Sequence, residues 1–271
     1  MFKPEISLSI HSVEALGLKD GVYQYRLNPN YENALKEFKK QGINSVEIGV
    51  FGQYAWEFEK YSVLSCEIAE KHGIKINSMH FPCGQHWIDL ASIWEADRQE
   101  IIKWTGKMLT RLDAFDIRAY VFHPTPVSKY SLDEHKDRLN LVCDSADKIA
   151  EYSKGYVCIE NMASGLMSTL SECLYFINHT KKAQMVVDVN HFLSDNPAEA
   201  LVALGNRVKT LHISDNDGIK ERHWLPGEGK IDFNAVISAL EKIGYDGRFN
   251  YELLEKYTPY QAKEHYQKLF G

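Results

Sequence analysis

Short apolar runs alternate with longer amphipathic segments along the whole chain. The apolar runs are six or seven residues long. Several are apolar at consecutive positions, as is typical of strands covered on both faces of a parallel sheet. Eight runs are predicted to be strands: EISLSI (5–10), SVEIGVF (45–51), KINSMHF (75–81), AYVFHP (119–124), YVCIEN (156–161), QMVVDVN (184–190), VKTLHIS (208–214) and RFNYELL (248–254).

The segments between these strands carry apolar residues at helical spacing. Gly42 and Gly73 end the first two segments, as helix C-caps do, and Ser92 opens the third as a candidate N-cap. Eight helices are predicted, at residues 31–42, 57–73, 92–115, 131–155, 169–179, 196–206, 232–244 and 258–270. This alternation is compatible with an open doubly wound sheet or a closed barrel. Eight units in 271 residues, with no linker between them, favour a (β/α)₈ TIM barrel in α/β class that forms a single domain over residues 1–271.

Composition and charge narrow the range of partners. Hydrophobic residues make up 44% and charged residues 25% of the chain, as in an ordinary globular protein. The net charge is −6 and the sequence has no basic block, which argues against nucleic acid or an anionic membrane as the partner. Five irregularly spaced cysteines, no sustained apolar segment at the start and no apolar run of about 20 residues predict a cytoplasmic protein with reduced thiols. The sequence leaves a homo-oligomer open.

Acids and histidines gather at the ends of the predicted strands. They are His80, His123, Glu160, Asp188, His212 and Glu252, with His191 three residues after Asp188. One histidine or acid at such a position is commonly a hydrogen-bonded core residue or a helix cap. Six at one rim favour a shared role, because burying charged groups is costly unless they are paired or bound to metal. Strand ends are also where TIM barrels carry their chemistry.

The most economical metal site combines Glu160, Asp188, His212 and Glu252. They come from predicted strands five to eight, which are neighbours in a barrel. Three carboxylates and one imidazole suit one divalent cation, namely Mn²⁺, Mg²⁺, Co²⁺ or Zn²⁺. Such a cation would polarise a substrate carbonyl and hydroxyl and stabilise an enediolate, while a neighbouring carboxylate takes a proton from carbon.

Six sequence pieces resemble the xylose isomerase-like TIM-barrel superfamily, which includes sugar-phosphate isomerases and epimerases, inosose dehydratases and endonuclease IV. The pieces are SMHFP, YVFHP, CIEN, VVDVNHF, LHISDNDG–ERHWLPGEGKIDF and NYELLE. In the isomerase and epimerase branch, the resemblance implies one metal on the same four residues, with Glu160 and Glu252 as acid and base and His191 on substrate oxygens. Leu166 stands where ketose 3-epimerases carry a further substrate-binding Glu.

Resemblance to the endonuclease IV branch implies instead that the same rim holds three zinc ions through nine ligands. The additional metal ligands would be His80, His123, His191, Glu221 and His223. Glu221 departs from that branch, which normally has Asp there. The net charge of −6 and the single Lys in the loops at 123–134 and 162–168 argue against a DNA-binding rim.

The sequence therefore predicts a metal-dependent isomerase or epimerase of a small sugar, sugar phosphate or inositol-derived ketone. His191, Asp215 and Arg222 are predicted substrate contacts. The alternatives are a trinuclear-zinc hydrolase of abasic DNA, an inosose-type dehydratase and a binding barrel without turnover, which would not need paired glutamates. Further candidates for the site are two residues of the first two strands, His11 and Glu47, and two tryptophans as an apolar wall, Trp87 and Trp224.

Overall fold

Eight parallel strands form a barrel in the computed structural model, which describes residues 2–19, 22–50, 55–82, 88–126 and 134–271. The sheet order is β10-β1-β4-β5-β6-β7-β8-β9. The barrel strands are β1 (Ile6–His11), β4 (Ser45–Gly49), β5 (Lys75–His80), β6 (Ala119–Phe122), β7 (Tyr156–Glu160), β8 (Gln184–Asp188), β9 (Val208–His212) and β10 (Phe249–Tyr251). The predicted (β/α)₈ barrel is confirmed.

The barrel closes between β9 and β10 just beyond the ends of these two strands. Ile213 and Tyr251 form an isolated parallel bridge there. Ile213 N–H donates to Asn250 O at 2.8 Å, and Glu252 N–H donates to Ile213 O at 3.2 Å. This seam is shorter than the other strand pairings of the described barrel, which have three or more residues in register.

Within the described residues, eight α-helices surround the barrel at positions close to the predicted ones. They are α1 (Tyr31–Lys40), α2 (Ala55–Lys71), α3 (Glu95–Leu112), α4 (His135–Ile149), α5 (Leu170–His179), α6 (Pro197–Leu204), α7 (Phe233–Lys242) and α8 (Pro259–Phe270). Gly42 and Gly73 follow α1 and α2 with φ of 70° and 62°, as the C-cap prediction requires. Ser92 does not cap α3, because its hydroxyl accepts from Trp94 N–H before the helix begins at Glu95.

A two-stranded antiparallel hairpin follows β1 and was not predicted from the sequence. Its strands are β2 (Val13–Lys19) and β3 (Val22–Leu27), and their register shifts between Ala15 and Gly17. The hairpin rests on α2, since the Tyr61 hydroxyl donates to Tyr25 O at 3.0 Å. β3 alternates apolar and polar residues from Tyr23 to Leu27, but β2 does not, because Ala15 and Leu16 are both apolar, so one strand of the pair lacks the period-two pattern that identifies a half-buried strand.

Alternation along each barrel strand divides its side chains between two environments. Val46 and Ile48 of β4 belong to the apolar layer between barrel and helices, whereas Glu47 points the opposite way. The barrel interior is apolar where β6, β7 and β8 meet, through Ala119, Val121, Cys158 and Val186. Elsewhere it contains buried polar side chains that hydrogen-bond across it, such as Asn77 to Thr210 and Asn250 to Ser9. This polar side leads up to the strand ends.

Two further sequence expectations concern thiols and membranes. Four cysteines are free and buried, and burial raises the pKa of the thiols of Cys66, Cys143, Cys158 and Cys173. Cys83 lies outside the described residues. Among the helices that the structure describes, none has both the length and the apolarity that crossing a bilayer requires.

Candidate metal centre

The four predicted metal ligands meet at the C-terminal mouth of the barrel. Glu160, Asp188 and His212 are the last residues of β7, β8 and β9, and Glu252 follows directly after β10. One ligand atom from each residue lies within 4.8 Å of the ligand atoms of the others. Asp188 and His212 are fully buried and Glu160 is 1% exposed. Neighbouring parallel strands that end in acids and a histidine therefore build one compact cluster.

Two carboxylate oxygens in this cluster lack hydrogen bonds among the described residues. They are Asp188 Oδ2 and Glu252 Oε2, and both are buried. His191 Nε2 lies 3.3 Å from the first and His212 Nδ1 lies 3.0 Å from the second, but neither is aligned as a hydrogen bond. An unsatisfied buried oxygen is costly. A divalent cation would satisfy both oxygens, so these residues fit the predicted ion.

His212 sits among three carboxylates. Its Nδ1 is 2.9 Å from Glu160 Oε1 and 3.0 Å from Glu252 Oε2, and its Nε2 is 3.0 Å from Glu47. Burial alone would lower the pKa of His212, but Glu47, Glu252 and Glu160 outweigh burial and raise it well above the ordinary value. Without a metal, the imidazolium is the cation that balances these acids.

The three acids of the cluster differ in how readily they lose a proton. Burial would raise the pKa of Glu160 and of Glu252, but neighbouring histidines together outweigh burial and hold each pKa below its ordinary value, His212 with His123 for Glu160 and His212 with His223 for Glu252. For Asp188 burial prevails over the opposing effect of His191, which raises the pKa to about 6. The two glutamates are therefore carboxylates near neutral pH and can accept a proton.

A second group of ligand atoms consists of His80, His123 and Glu160. Glu160 Oε2 lies 3.2 Å from His80 Nε2 and 3.1 Å from His123 Nε2. His80 Nδ1 donates to Phe81 O at 2.7 Å, which fixes the ring. Burial would lower the pKa of His80, but Glu160 and Glu47 raise it to about 9, whereas burial prevails at His123 and lowers its pKa.

A third group consists of Asp188, His191 and His223, with Glu221 beside them. His191 Nδ1 donates to Asn161 O at 2.7 Å, and its Nε2 lies 3.5 Å from Glu221 Oε2. His223 Nε2 lies 2.6 Å from Glu221 Oε1. Against burial, Asp188 and Glu221 raise the pKa of His191 to about 10, and Glu221 above all raises that of His223 to about 9. All the predicted additional ligands thus lie around the first cluster.

Asp215, a predicted substrate contact, lies buried outside the lining of the cavity formed by the described residues. It is fully buried, and its carboxylate accepts backbone N–H bonds that organise the following loop. Oδ2 accepts from Gly227 at 2.9 Å and Gly229 at 2.8 Å, while Oδ1 accepts from Asn216 at 2.9 Å and Ile231 at 3.1 Å. Both oxygens of Asp215 are thus taken up by the loop, and a substrate contact by Asp215 stays a prediction.

Arg222 contacts residues of its own loop. Its Nε lies 2.7 Å from Asp217 Oδ2, and its guanidinium lies over the Trp224 ring, 5.6 Å from the centroid. Neither Arg222 nor Trp224 lines the cavity above the cluster. A substrate contact by Arg222 and an apolar wall from Trp224 stay predictions, because neither residue borders the cavity that the described residues form. Trp87 lies outside the described residues.

A cavity of about 210 Å³ opens above the cluster. Its lining residues are His11, Gly49, Val50, His80, Phe81, His123, Glu160, His191, Glu221, His223 and Glu252. Of the four predicted ligands, only Glu160 and Glu252 line it, and Asp188 and His212 lie beneath. A larger cavity of about 760 Å³ includes the strand starts Lys75 and Tyr156, at the opposite end of the barrel from these ligands.

A family match agrees with the barrel fold. The sequence model described as xylose isomerase-like TIM barrel matches residues 35–269 of the chain.

The chain belongs to the xylose isomerase-like TIM-barrel family.

Several relatives in sequence are themselves without an assigned activity. The uncharacterized protein MJ1311 of Methanocaldococcus jannaschii is 25% identical over 263 residues, which cover 92% of this chain and 88% of the relative. The uncharacterized protein MJ1614 of the same organism is 24% identical over 216 residues, or 79% and 83% of the two chains. Fructoselysine 3-epimerase of Escherichia coli O157:H7 is 37% identical over 54 residues, which is 20% of each chain.

Solved structures share the fold at low sequence identity. D-psicose 3-epimerase with D-tagatose, from Clostridium cellulolyticum H10, superimposes with a TM-score of 0.76 at 15% identity, covering 98% of this chain and 99% of the other. The 3-keto-D-glucoside 4-epimerase from E. coli gives a TM-score of 0.71 at 19% identity and the same coverage. These similarities show that the barrel fold is shared.

Two polar residues at the mouth of the barrel, His11 and Glu47, were only secondary candidates from the sequence. His11 lines the cavity and packs over Gly49, where an added Cβ would lie 2.7 Å from its Nδ1. Glu47 lies beneath the cavity against His212. The alternation of β4 was the available signal, because it sets Glu47 opposite the apolar Val46 and Ile48.

Proposed function

We propose that the protein is a divalent-metal-dependent isomerase or epimerase of a small sugar, a sugar phosphate or an inositol-derived ketone. The observation that carries the proposal is the position of the two glutamates. Glu160 and Glu252 both belong to the ligand cluster and both line the cavity. A substrate in the cavity would therefore meet two carboxylates beside the cation. The similar solved structures are those of sugar epimerases, which supports a sugar as the class of substrate.

Each side chain has a role that follows from its place. Asp188 and His212, beneath the cavity, would hold the ion together with the two glutamates. When bound, the ion supplies a Lewis acid that polarises a carbonyl and stabilises negative charge on adjacent oxygens. One glutamate removes the proton alpha to the carbonyl and keeps it, and the intermediate receives a different proton at the neighbouring carbon or on the opposite face, either from water or from the other glutamate after that glutamate has taken up a proton from water. His191 lines the same cavity and would contact substrate oxygens.

A substrate screen tests the proposal most directly. Purified protein is incubated with ketoses, their phosphates and inosose, with and without Mn²⁺, in D₂O. The expected result is Mn²⁺-dependent incorporation of deuterium at the carbon next to the carbonyl, together with an isomer or epimer. A product formed from the substrate by loss of one water molecule would instead indicate the dehydratase reaction, which begins with the same proton abstraction. No exchange with any member of the panel would contradict the proposal.

A second candidate is a trinuclear-zinc phosphodiester hydrolase of abasic DNA. The observation that favours it is the pair of additional ligand groups, His80–His123–Glu160 and Asp188–His191–His223. The net charge of −6 opposes it. Elemental analysis separates the two functions, because the isomerase predicts about one metal per chain and the hydrolase about three. Incision of an abasic duplex is the matching activity assay.

A further inference from the structure

Glu47 is a buried carboxylate that the proposed reaction does not use. It lies in the middle of β4, is 1% exposed and does not line the cavity. Ser9 Oγ donates to its Oε1 at 2.9 Å and Ser78 Oγ donates to its Oε2 at 2.6 Å. His212 Nε2 lies 3.0 Å from it. Glu47 therefore cannot touch a substrate in the cavity, yet it contacts a predicted metal ligand directly.

The barrel interior is built to keep Glu47 in this place. Burying a charged carboxylate costs several kcal/mol unless it is paired and hydrogen-bonded. Hydroxyls from the two flanking strands, on Ser9 of β1 and Ser78 of β5, occupy one position on each carboxylate oxygen. The remaining partner is the imidazole of His212, which is fully buried. Three strands thus fix the direction in which Glu47 faces His212.

The contact with Glu47 decides which nitrogen of His212 faces the cluster. A carboxylate accepts, so His212 Nε2 carries the hydrogen that Glu47 receives. The other nitrogen, Nδ1, faces Glu160 at 2.9 Å and Glu252 at 3.0 Å. We infer that Glu47 is a positioning residue that fixes the ring and tautomer of His212, so that Nδ1 is the atom offered to the metal. This inference rests on the proposed function, because it presupposes that the cluster binds a metal.

The expected size of the effect follows from other buried histidine ligands. A carboxylate that accepts from the outer ring nitrogen orients a ligating histidine, and its loss typically weakens metal binding about 10–100-fold. Glu47→Ala removes the acceptor and is expected to weaken Mn²⁺ binding by this factor. Glu47→Gln keeps the shape and one acceptor oxygen but loses the charge, so a smaller loss of affinity is expected. Partial rescue by glutamine would separate orientation from charge.

Calorimetric titration with Mn²⁺ tests the inference on the full chain. The control is Asp113→Asn, which alters a carboxylate that accepts from Tyr120 and Ser153 near the opposite end of the barrel. This control is expected to bind Mn²⁺ as the wild type does. If the wild type itself binds no Mn²⁺, the proposed metal function fails. If the wild type binds and both Glu47 variants bind equally well, the inference about Glu47 is overturned.

A nuclear magnetic resonance experiment reports on the tautomer itself. In Zn²⁺-loaded, ¹⁵N-histidine-labelled wild type, His212 is expected to keep its hydrogen on Nε2. Glu47→Gln preserves an acceptor and is expected to keep the same tautomer, which can be checked even if Glu47→Ala does not fold. A wild-type spectrum with the hydrogen on Nδ1 would overturn the inference. Because this readout is independent of turnover, a general loss of stability does not imitate it.

Discussion

Replacing Asp215 by Asn should destabilise the protein strongly, although the two side chains have nearly the same shape. The carboxylate accepts four backbone N–H groups, two on each oxygen. Asn presents an NH₂ group in place of one oxygen, so two N–H donors would face another donor inside a fully buried site. Hydrogen bonds to a charged acceptor contribute about 1.5–3 kcal/mol each.

Two such bonds correspond to about 3–6 kcal/mol, and relaxation of the loop reduces the expected loss to about 3 kcal/mol. Asp215→Ala removes all four acceptors and should cost more. The measurement is the free energy of unfolding from urea titration, followed by circular dichroism. Asp246→Asn is the control, because Asp246 is 69% exposed and pairs only with Arg118 among the described residues, and it should resemble the wild type. A loss below about 1 kcal/mol for Asp215→Asn would refute the assigned role.

Four other changes have defined expected outcomes. Glu252→Gln should lower turnover about 10²–10⁴-fold while circular dichroism stays unchanged; wild-type rates would exclude Glu252 from proton transfer. Treatment with EDTA should lower the melting temperature and Mn²⁺ should restore it, since a ligand that binds only the folded state stabilises it; no change would contradict a bound ion. Gly229→Ala should destabilise the protein, because the added Cβ would lie 2.1 Å from Asn216 O and 2.4 Å from Asp215 Oδ1. Urea titration measures the free energy of unfolding, and an unchanged value would contradict the close packing around Gly229. In metal-free protein, His80 and His223 have pKa values raised from 6.5 to about 9. The stability that their protonated forms contribute to the fold is therefore complete below pH 6.5 and is lost as the pH rises through 9. The melting temperature should fall over that pH interval, and a rise would contradict this prediction.

The barrel and its ligand cluster were predictable because both depend on regular patterns. Alternating strand and helix segments specify parallel strands, and parallel strands bring their C-terminal ends to one rim. Glu160, Asp188 and His212 each end a strand, so finding the strands was enough to bring these residues together. The family match over residues 35–269 confirms the same barrel.

Loop residues were harder to predict, because their partners are not set by a period. Asp215 looked like a substrate contact in a polar loop, but its partners are backbone N–H groups up to 16 residues later. Arg222 likewise pairs with Asp217, five residues before it. The type of side chain gives no direction, and direction decides whether a charged group faces the cavity or holds the loop. The hairpin after β1 escaped prediction for a related reason, since the alternation of β3 is short and its partner β2 interrupts the pattern at Ala15 and Leu16.

The short pairing between β9 and β10 would connect metal binding by the cluster to the closure of the barrel. β9 and β10 meet at the single bridge between Ile213 and Tyr251, and the residues next to this bridge are His212 and Glu252. Any ion held by both side chains would therefore connect the two strands that have the fewest residues in register in the described barrel. Loading the site would tighten the ring at the place where it opens most easily, and protection of the Ile213 and Glu252 amides from hydrogen exchange would rise with metal occupancy. The proposed reaction and the closure of the barrel would then depend on the same bound ion.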